Sequence, residues 1–172
     1  RIDLEACQEP RQLIEAARFR GIAISDGLTW EEAFHVVFLT AVEPALPREK
    51  PLVLLDYPAP VPTTARRKPG TPWAERWELF IDGVEIANCY TEETGLGALQ
   101  RLFDEETRRK ESCRVPHPPD SELPGIVASG PAVISGSALG LDRLAAVFRG
   151  EAGLGGVILF PVSAIIPPHS GP

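Results

Sequence analysis

Apolar residues along this 172-residue chain switch between a helical and an alternating period, and the switches outline its elements. Residues 10–20 predict a helix, with Pro10 in its first turn and Gly21 just past its end. Thr29-Trp30-Glu31-Glu32 predicts a capped start for a second helix. Its apolar residues Phe34, Val37, Phe38 and Val42 recur at helical spacing, and Pro44 is expected to stop it. The wholly apolar run 52–55, ahead of Asp56-Tyr57-Pro58, reads as a short buried strand. Residues 58–72 hold five prolines and the basic triplet Arg66-Arg67-Lys68, so they read as a loop. Residues 75–81 and 84–90 predict two strands joined at Asp82-Gly83, a dipeptide suited to a tight hairpin turn. A charged amphipathic helix follows over 96–110, then a second proline-rich loop over 114–125. A strand over 132–139 leads into a helix over 141–149 that Gly150 closes. No internal repeat, low-complexity tract or second domain interrupts this order.

Composition narrows the possibilities. At 44% hydrophobic and 24% charged residues, the chain can bury a core as one globular unit. A net charge of −7 argues against a broad electrostatic grip on nucleic acid. Cys7, Cys89 and Cys113 are odd in number and lack CxxC spacing, which predicts free thiols in a reducing compartment, the cytosol. His35, His117 and His169 are too scattered for a His/Cys zinc site, and His117, between prolines, reads as a surface loop residue. No segment approaches the roughly 18 apolar residues of a membrane span, and no signal peptide is visible. The chain contains no methionine, so it is expected to be part of a longer protein.

The hairpin carries the first candidate chemistry. With Asp82-Gly83 as a two-residue turn, Ile81 opposes Val84, Phe80 opposes Glu85 and Glu78 opposes Ala87. Alternation then predicts a core face of Trp77, Leu79, Ile81, Val84, Ile86 and Tyr90. The other face carries Arg76, Glu78, Phe80, Glu85, Ala87 and Cys89. Glu78 and Glu85 become diagonal neighbours, about 7–8 Å apart at the backbone. Two carboxylates so placed repel, and a divalent ion or a substrate ammonium between them would relieve the repulsion. The alternative is a solvated face on which Arg76 neutralises one glutamate. Strict alternation sends Asn88 and Glu92 to the side away from Glu85, so a shared pocket would require a bulge or twist near Cys89.

The second candidate is the run Gly136-Ser137-Ala138-Leu139-Gly140-Leu141-Asp142-Arg143, where a strand hands over to a helix. Gly140 would let a ligand approach the backbone, and the helix start favours anions. Arg143 in the first turn could fork onto a phosphate, with Asp142 capping or charging the same turn. The alternative is a surface salt bridge.

Taken together and in this order, these residues resemble the C-terminal part of a class II lysyl-tRNA synthetase-type catalytic domain. Glu75-Arg-Trp-Glu-Leu-Phe-Ile-Asp-Gly-Val-Glu-Ile-Ala-Asn88 with Tyr90-Thr-Glu92 is similar to that family's acidic hairpin. Ser135 to Arg143 is similar to its motif 3, and Val157-Ile-Leu-Phe-Pro161 to its final strand. Val42-Glu43-Pro44 and Leu55-Asp56-Tyr57-Pro58-Ala59 resemble the lead-in segments. Within the group the chain looks most like the stand-alone paralogues that ligate (R)-β-lysine to elongation factor P. Ala138 stands where true lysyl-tRNA synthetases usually carry glycine. A methyl-sized change of that kind could discriminate lysine isomers by about 1–3 kcal/mol.

The resemblance implies an α+β fold, with an antiparallel β-sheet flanked by helices as in a partial class II catalytic core. It also implies a single domain over 1–172, with motif 3 at 135–149 and motifs 1 and 2 missing. Glu78 with Leu79 would hold ATP, and Glu78 and Glu85 its Mg²⁺. Glu85, Asn88, Glu92 and Ala138 would line the pocket for lysine or β-lysine. Gly140 would lie against the adenine or ribose, and Arg143 would clamp the γ-phosphate as the catalytic arginine. The activity implied is an ATP-dependent ligase that forms an aminoacyl-adenylate and transfers it to a lysine of elongation factor P. The full-length protein would be a cytoplasmic homodimer, with tRNA the less favoured acceptor.

Cys89 and Glu93-Thr94-Gly95 depart from the family's pattern at the pocket rim. Two alternatives stay open, a C-terminal fragment of a lysyl-tRNA synthetase and a catalytically silent synthetase-like binding module. Without motif 2 the chain alone is expected to be inactive. The basic triplet reads as a solvated loop before it reads as a docking site for protein or RNA.

Overall fold

The computed structural model describes residues 1–111, 115 and 120–161. Helix α1 runs Pro10–Phe19, α2 Trp30–Val37, strand β1 Leu52–Pro58, β2 Trp73–Ile81 and β3 Val84–Thr91. Helix α3 follows over Leu96–Glu111, α4 over Leu123–Ser129, β4 over Ser135–Leu139 and α5 over Leu141–Arg149. The four strands form one antiparallel sheet in the order β1-β2-β3-β4. This is the mixed helix-and-strand architecture that the sequence predicts.

The helical corner is set by local signals. Pro10 occupies the first turn of α1, where its missing N–H costs nothing, and Gly21 beyond the helix takes φ +77°. In α2 the Thr29 Oγ1 accepts from the Glu32 N–H (3.2 Å), and the Glu32 carboxylate accepts from the Thr29 N–H (2.8 Å). Leu13, Ile14, Trp30, Ala33 and Phe34 bury their side chains together with Cys7 and Val61. The Trp30 indole donates to the Cys7 carbonyl (2.7 Å), so its one polar atom is satisfied. Phe38 carries this cluster to the sheet, its ring 6.4 Å from that of Tyr57.

Several expectations need correction. The α-helical part of α2 ends at Val37. Phe38–Val42 widens into a π turn, and the helical run ends in the 3₁₀ turn Glu43–Ala45, one residue past Pro44, with Leu46 extended. Proline's fixed φ suits a first helical turn, which explains why it is tolerated there. Residues 52–55 do form a strand, but β1 lies at the sheet edge, with Val53 47% and Leu55 67% exposed. Helix α4 begins inside the run 114–125 expected to be loop and continues past its end, again with proline in its first turn. Strand β4 starts at Ser135 and not at 132. Residues 157–161 form no strand. His117, Cys113 and His169 lie outside the described residues, while Cys7 and Cys89 are free thiols.

On β2 the expected core face of the hairpin is also reversed, while Ile86 of β3 is buried as expected. Ala74, Glu78 and Phe80 are the deeply buried positions of β2, whereas Trp77, Leu79 and Ile81 are half-buried. The acidic face is therefore the covered one. Replacing Leu13 by Ala, at 0% exposure, should destabilise the protein by about 2–5 kcal/mol. Phe19→Ala, at 86% exposure, should change it by no more than about 0.5 kcal/mol. Urea unfolding of the two variants checks this contrast.

Candidate active site

Two irregularities in the sheet decide which side chains meet. The hairpin turn is as the sequence predicts, with Ile81 opposite Val84 and Phe80 opposite Glu85. The next pair, however, is Leu79 with Ala87, so Ile86 is an extra residue in β3. Beyond it the register becomes Glu78 with Asn88, Trp77 with Cys89 and Arg76 with Tyr90. Opposed residues share a face, so this bulge brings Asn88 and Tyr90 to the side of Arg76, Glu78, Phe80 and Glu85. The expected bulge exists, three residues before Cys89.

The second irregularity lies in β1. Leu55 opposes Trp77, but Tyr57 opposes Ala74, and Asp56 between them takes φ +61°. Without this step Tyr57 would share the outer side of Leu55; with it, Tyr57 turns onto the acidic face and is 8% exposed. Lys68 pairs with the Asp56 carboxylate at the bulge. Arg66 forks onto Glu75 (2.8 and 3.1 Å), so two members of the basic triplet are committed to local ion pairs.

One rung of the sheet now crosses all four strands as Leu54, Glu78, Asn88 and Ala138. The β4–α5 junction fastens this arrangement. The Gly140 N–H donates to the carbonyl of the bulged Ile86 (2.8 Å), and the Ser137 hydroxyl donates to the Asn88 carbonyl (2.9 Å). Arg143, in the first turn of α5, donates to the Glu85 carbonyl (3.0 Å) and lies 3.3 Å from its carboxylate. Residues far apart in sequence thus converge on residues 85–88 of β3.

Glu78 is the one buried charged residue among the described residues, at 6% exposure. The Tyr57 hydroxyl donates to Glu78 Oε2, and Arg76 Nη2 donates to Oε1 at 2.6 Å. The Arg76 guanidinium also stacks 4.7 Å over the Tyr57 ring. Burial, followed by the hydrogen bond to the Glu78 carboxylate, pushes the Tyr57 phenol far above its usual range, so it remains a donor. Arg76 Nε is buried without a partner among the described residues.

The remaining predicted residues fall into different surroundings. Glu92 pairs with Ala65 across an isolated bridge, and its N–H donates to the Ile134 carbonyl (2.8 Å). With Tyr90 it lines a mostly apolar cavity of about 400 Å³ against Leu99 and Phe103 of α3 and Pro124 and Val127 of α4. Leu79 lies on the face opposite Glu78. Sequence reasoning placed Arg76 only as a neutraliser and gave Tyr57 no role at the site. The positive φ of Asp56 that turns Tyr57 inward has only a weak signature in residue type, aspartate's tolerance of that conformation.

A family profile of class II tRNA synthetases (D, K and N) matches residues 19–164. The chain belongs to that class II synthetase family. Among its relatives it is 31% identical over 168 residues to a lysine–tRNA ligase of Chloroflexus aurantiacus, covering 93% of this chain and 33% of the relative. It is 33% identical over 130 residues to an elongation factor P–(R)-β-lysine ligase of Salmonella dublin, covering 74% of this chain and 40% of that protein. A homologue of the same ligase in Aquifex aeolicus is 31% identical over 144 residues, covering 84% and 46%. The chain therefore spans between a third and a half of the length of these relatives.

Gly140 has φ −80°, and the atoms nearest a Cβ there would be those of the Arg143 stem at 3.4–3.5 Å, an ordinary contact. Gly83 has φ +74°, and a Cβ there would lie 3.1 Å from the Arg48 guanidinium. Thermal unfolding should find Gly140→Ala nearly neutral and Gly83→Ala destabilising by about 1 kcal/mol or more.

Proposed function

We propose that this chain is the C-terminal part of a single class II catalytic domain in an ATP-dependent ligase. The ligase activates lysine or β-lysine as an aminoacyl-adenylate and passes it to a lysine of elongation factor P. The observation that carries this reading is the convergence of Glu78, Glu85, Asn88 and Arg143 on one end of the acidic sheet face. The relatives support the amino acid, since each acts on lysine or β-lysine by name.

The residues divide the work by charge. Arg143 offers a guanidinium at the start of α5, where a helix N-terminus already favours phosphate. Glu85, on the acidic face, lies 3.3 Å from that cation. Asn88 and Ala138 sit side by side on the same rung, and Glu92 lines a cavity whose other walls are mostly apolar. A carboxylate in such surroundings suits an ammonium on an aliphatic stem. Among the described residues no group of three or more His, Cys, Asp or Glu could hold a metal ion. Two carboxylates fit Mg²⁺ arriving with a nucleotide, because Mg²⁺ takes one or two carboxylates and completes its shell with phosphate oxygens. When bound, Mg²⁺ would neutralise phosphate charge.

In the reaction an oxygen of the amino-acid carboxylate attacks the α-phosphorus in line, and pyrophosphate leaves. The acceptor lysine amine then attacks the activated carbonyl, and AMP leaves. Catalysis by positioning and charge neutralisation needs no covalent nucleophile on the protein.

Ala138, beside Asn88, supports elongation factor P as acceptor through the methyl it adds to the rung. Transfer to tRNA is the second reading, since lysine–tRNA ligases are equally among the relatives. The full-length protein is read as a cytoplasmic homodimer. No helix among the described residues is long and apolar enough to cross a membrane.

The full-length protein should support lysine- or β-lysine-dependent ATP–pyrophosphate exchange, and the 172-residue chain alone should not. Glu85→Gln should lower the exchange rate about 100-fold or more. A mass increase on elongation factor P, with uncharged tRNA, supports the first acceptor; charged tRNA alone supports the second. Absence of exchange with either amino acid would identify a silent binding module.

A further inference from the structure

The Tyr57–Arg76–Glu78 cluster is costly in ways that stability does not explain. Asp56 holds a left-handed backbone conformation, which for a non-glycine residue costs on the order of 1 kcal/mol or more. That conformation turns Tyr57 onto the acidic face. Glu78 and Arg76 give up much of their hydration, their side chains being 8% and 21% exposed. Apolar residues in place of a buried ion pair are commonly as stable or more so. Among the described residues Arg76 Nε has no hydrogen-bond partner, which a cluster selected for stability would not leave.

What the cluster does achieve is geometric. Glu78 has two carboxylate oxygens, and each is held by a different donor from a different strand or residue. Tyr57 reaches Oε2 from β1, and Arg76 reaches Oε1 from the same side of β2. The guanidinium lies over the phenol ring, so each donor also restrains the other. The carboxylate plane is thereby fixed by one donor on each oxygen. Asn88 on the neighbouring strand and Glu85 beyond the Ile86 bulge complete that side.

We propose that Tyr57 and Arg76 are positioning residues that orient the Glu78 carboxylate toward the Mg²⁺-nucleotide, with the Asp56 bulge serving to deliver Tyr57. The proposal rests on the reading of Glu78 as an acid that meets ATP and its Mg²⁺. Neither Tyr57 nor Arg76 touches the ligand in this scheme. Both act through Glu78.

The test uses the full-length protein with Tyr57→Phe, Arg76→Lys and Glu78→Gln. ATP binding is measured by calorimetry across a Mg²⁺ series, and pyrophosphate exchange is measured with ATP and lysine varied separately. Thermal melting checks folding. Tyr57→Phe keeps the ring beneath Arg76 and removes a hydrogen bond to a charged group, so the Kd for Mg²⁺-ATP should rise about tenfold. The Mg²⁺ concentration for half-maximal binding should rise with it, while KM for lysine stays at the parent value. Arg76→Lys keeps the charge and loses the planar stack, and it should shift the same quantities in the same direction. If both variants bind Mg²⁺-ATP like the parent while Glu78→Gln loses binding, the positioning roles are wrong and the role of Glu78 survives. If Glu78→Gln itself binds like the parent, the nucleotide-facing reading of Glu78 falls and the proposal with it. An equal loss for Mg²⁺-ATP and lysine would mark a general structural role and overturn the proposal.

Discussion

At Ile86, strand β3 carries one residue more than β2 can pair, and the side chains assembled around Glu78 depend on that mismatch. A strand alternates its side chains with period two, so a one-residue slip moves every later residue to the other face. Without the slip, Glu85 would face one way and Asn88 and Tyr90 the other. With it, residues from both sides of the bulge share the face that Glu78 occupies. A bulge leaves backbone groups unpaired within the ladder, and here a distant element satisfies them. Gly140 caps the Ile86 carbonyl, and Arg143 takes the Glu85 carbonyl. The strand–helix junction that looks like a separate motif in the sequence is physically the fastening of the hairpin.

The bulge at Asp56 works by the same rule on the opposite edge. Together the two slips turn inward what simple alternation would scatter, Tyr57 from β1 and Asn88 with Tyr90 from β3. They also explain why the acidic face, expected to be wet, is the more buried one. Tyr57 and Phe80 cover it, and Arg76 lies across Tyr57. Glu78 can remain there because each of its oxygens accepts a hydrogen bond. In low-dielectric surroundings the contacts of such a carboxylate are strong and an unpaired one would be costly.

The outward-facing parts of the structure tell a complementary story. Leu139, Leu141 and Phe148 along β4 and α5 are 49%, 71% and 78% exposed, and β1 leaves Val53 and Leu55 exposed at the sheet edge. Helix α5 is strongly amphipathic in sequence, yet only Ala146 along it is buried. The chain spans between a third and a half of its relatives' length.

By itself the sequence determined the elements whose causes are local. Pro10, the Thr29–Glu32 capping box, the Asp82-Gly83 turn and Gly150 each act within a few residues of where they stand. Helices α1, α2 and α5 and the hairpin turn were legible for that reason. So were the identities of the acids and of Arg143, because their order and spacing resemble a known family. Tertiary structure decided which of those residues meet. Strand register depends on pairing energies summed along a ladder and on backbone angles such as that of Asp56, and no single residue type announces them. Proline misled at Pro124, because its effect depends on whether it falls in a first helical turn or later. The Tyr57–Arg76–Glu78 cluster joins three side chains across two strands, and only the folded sheet brings them within hydrogen-bonding distance.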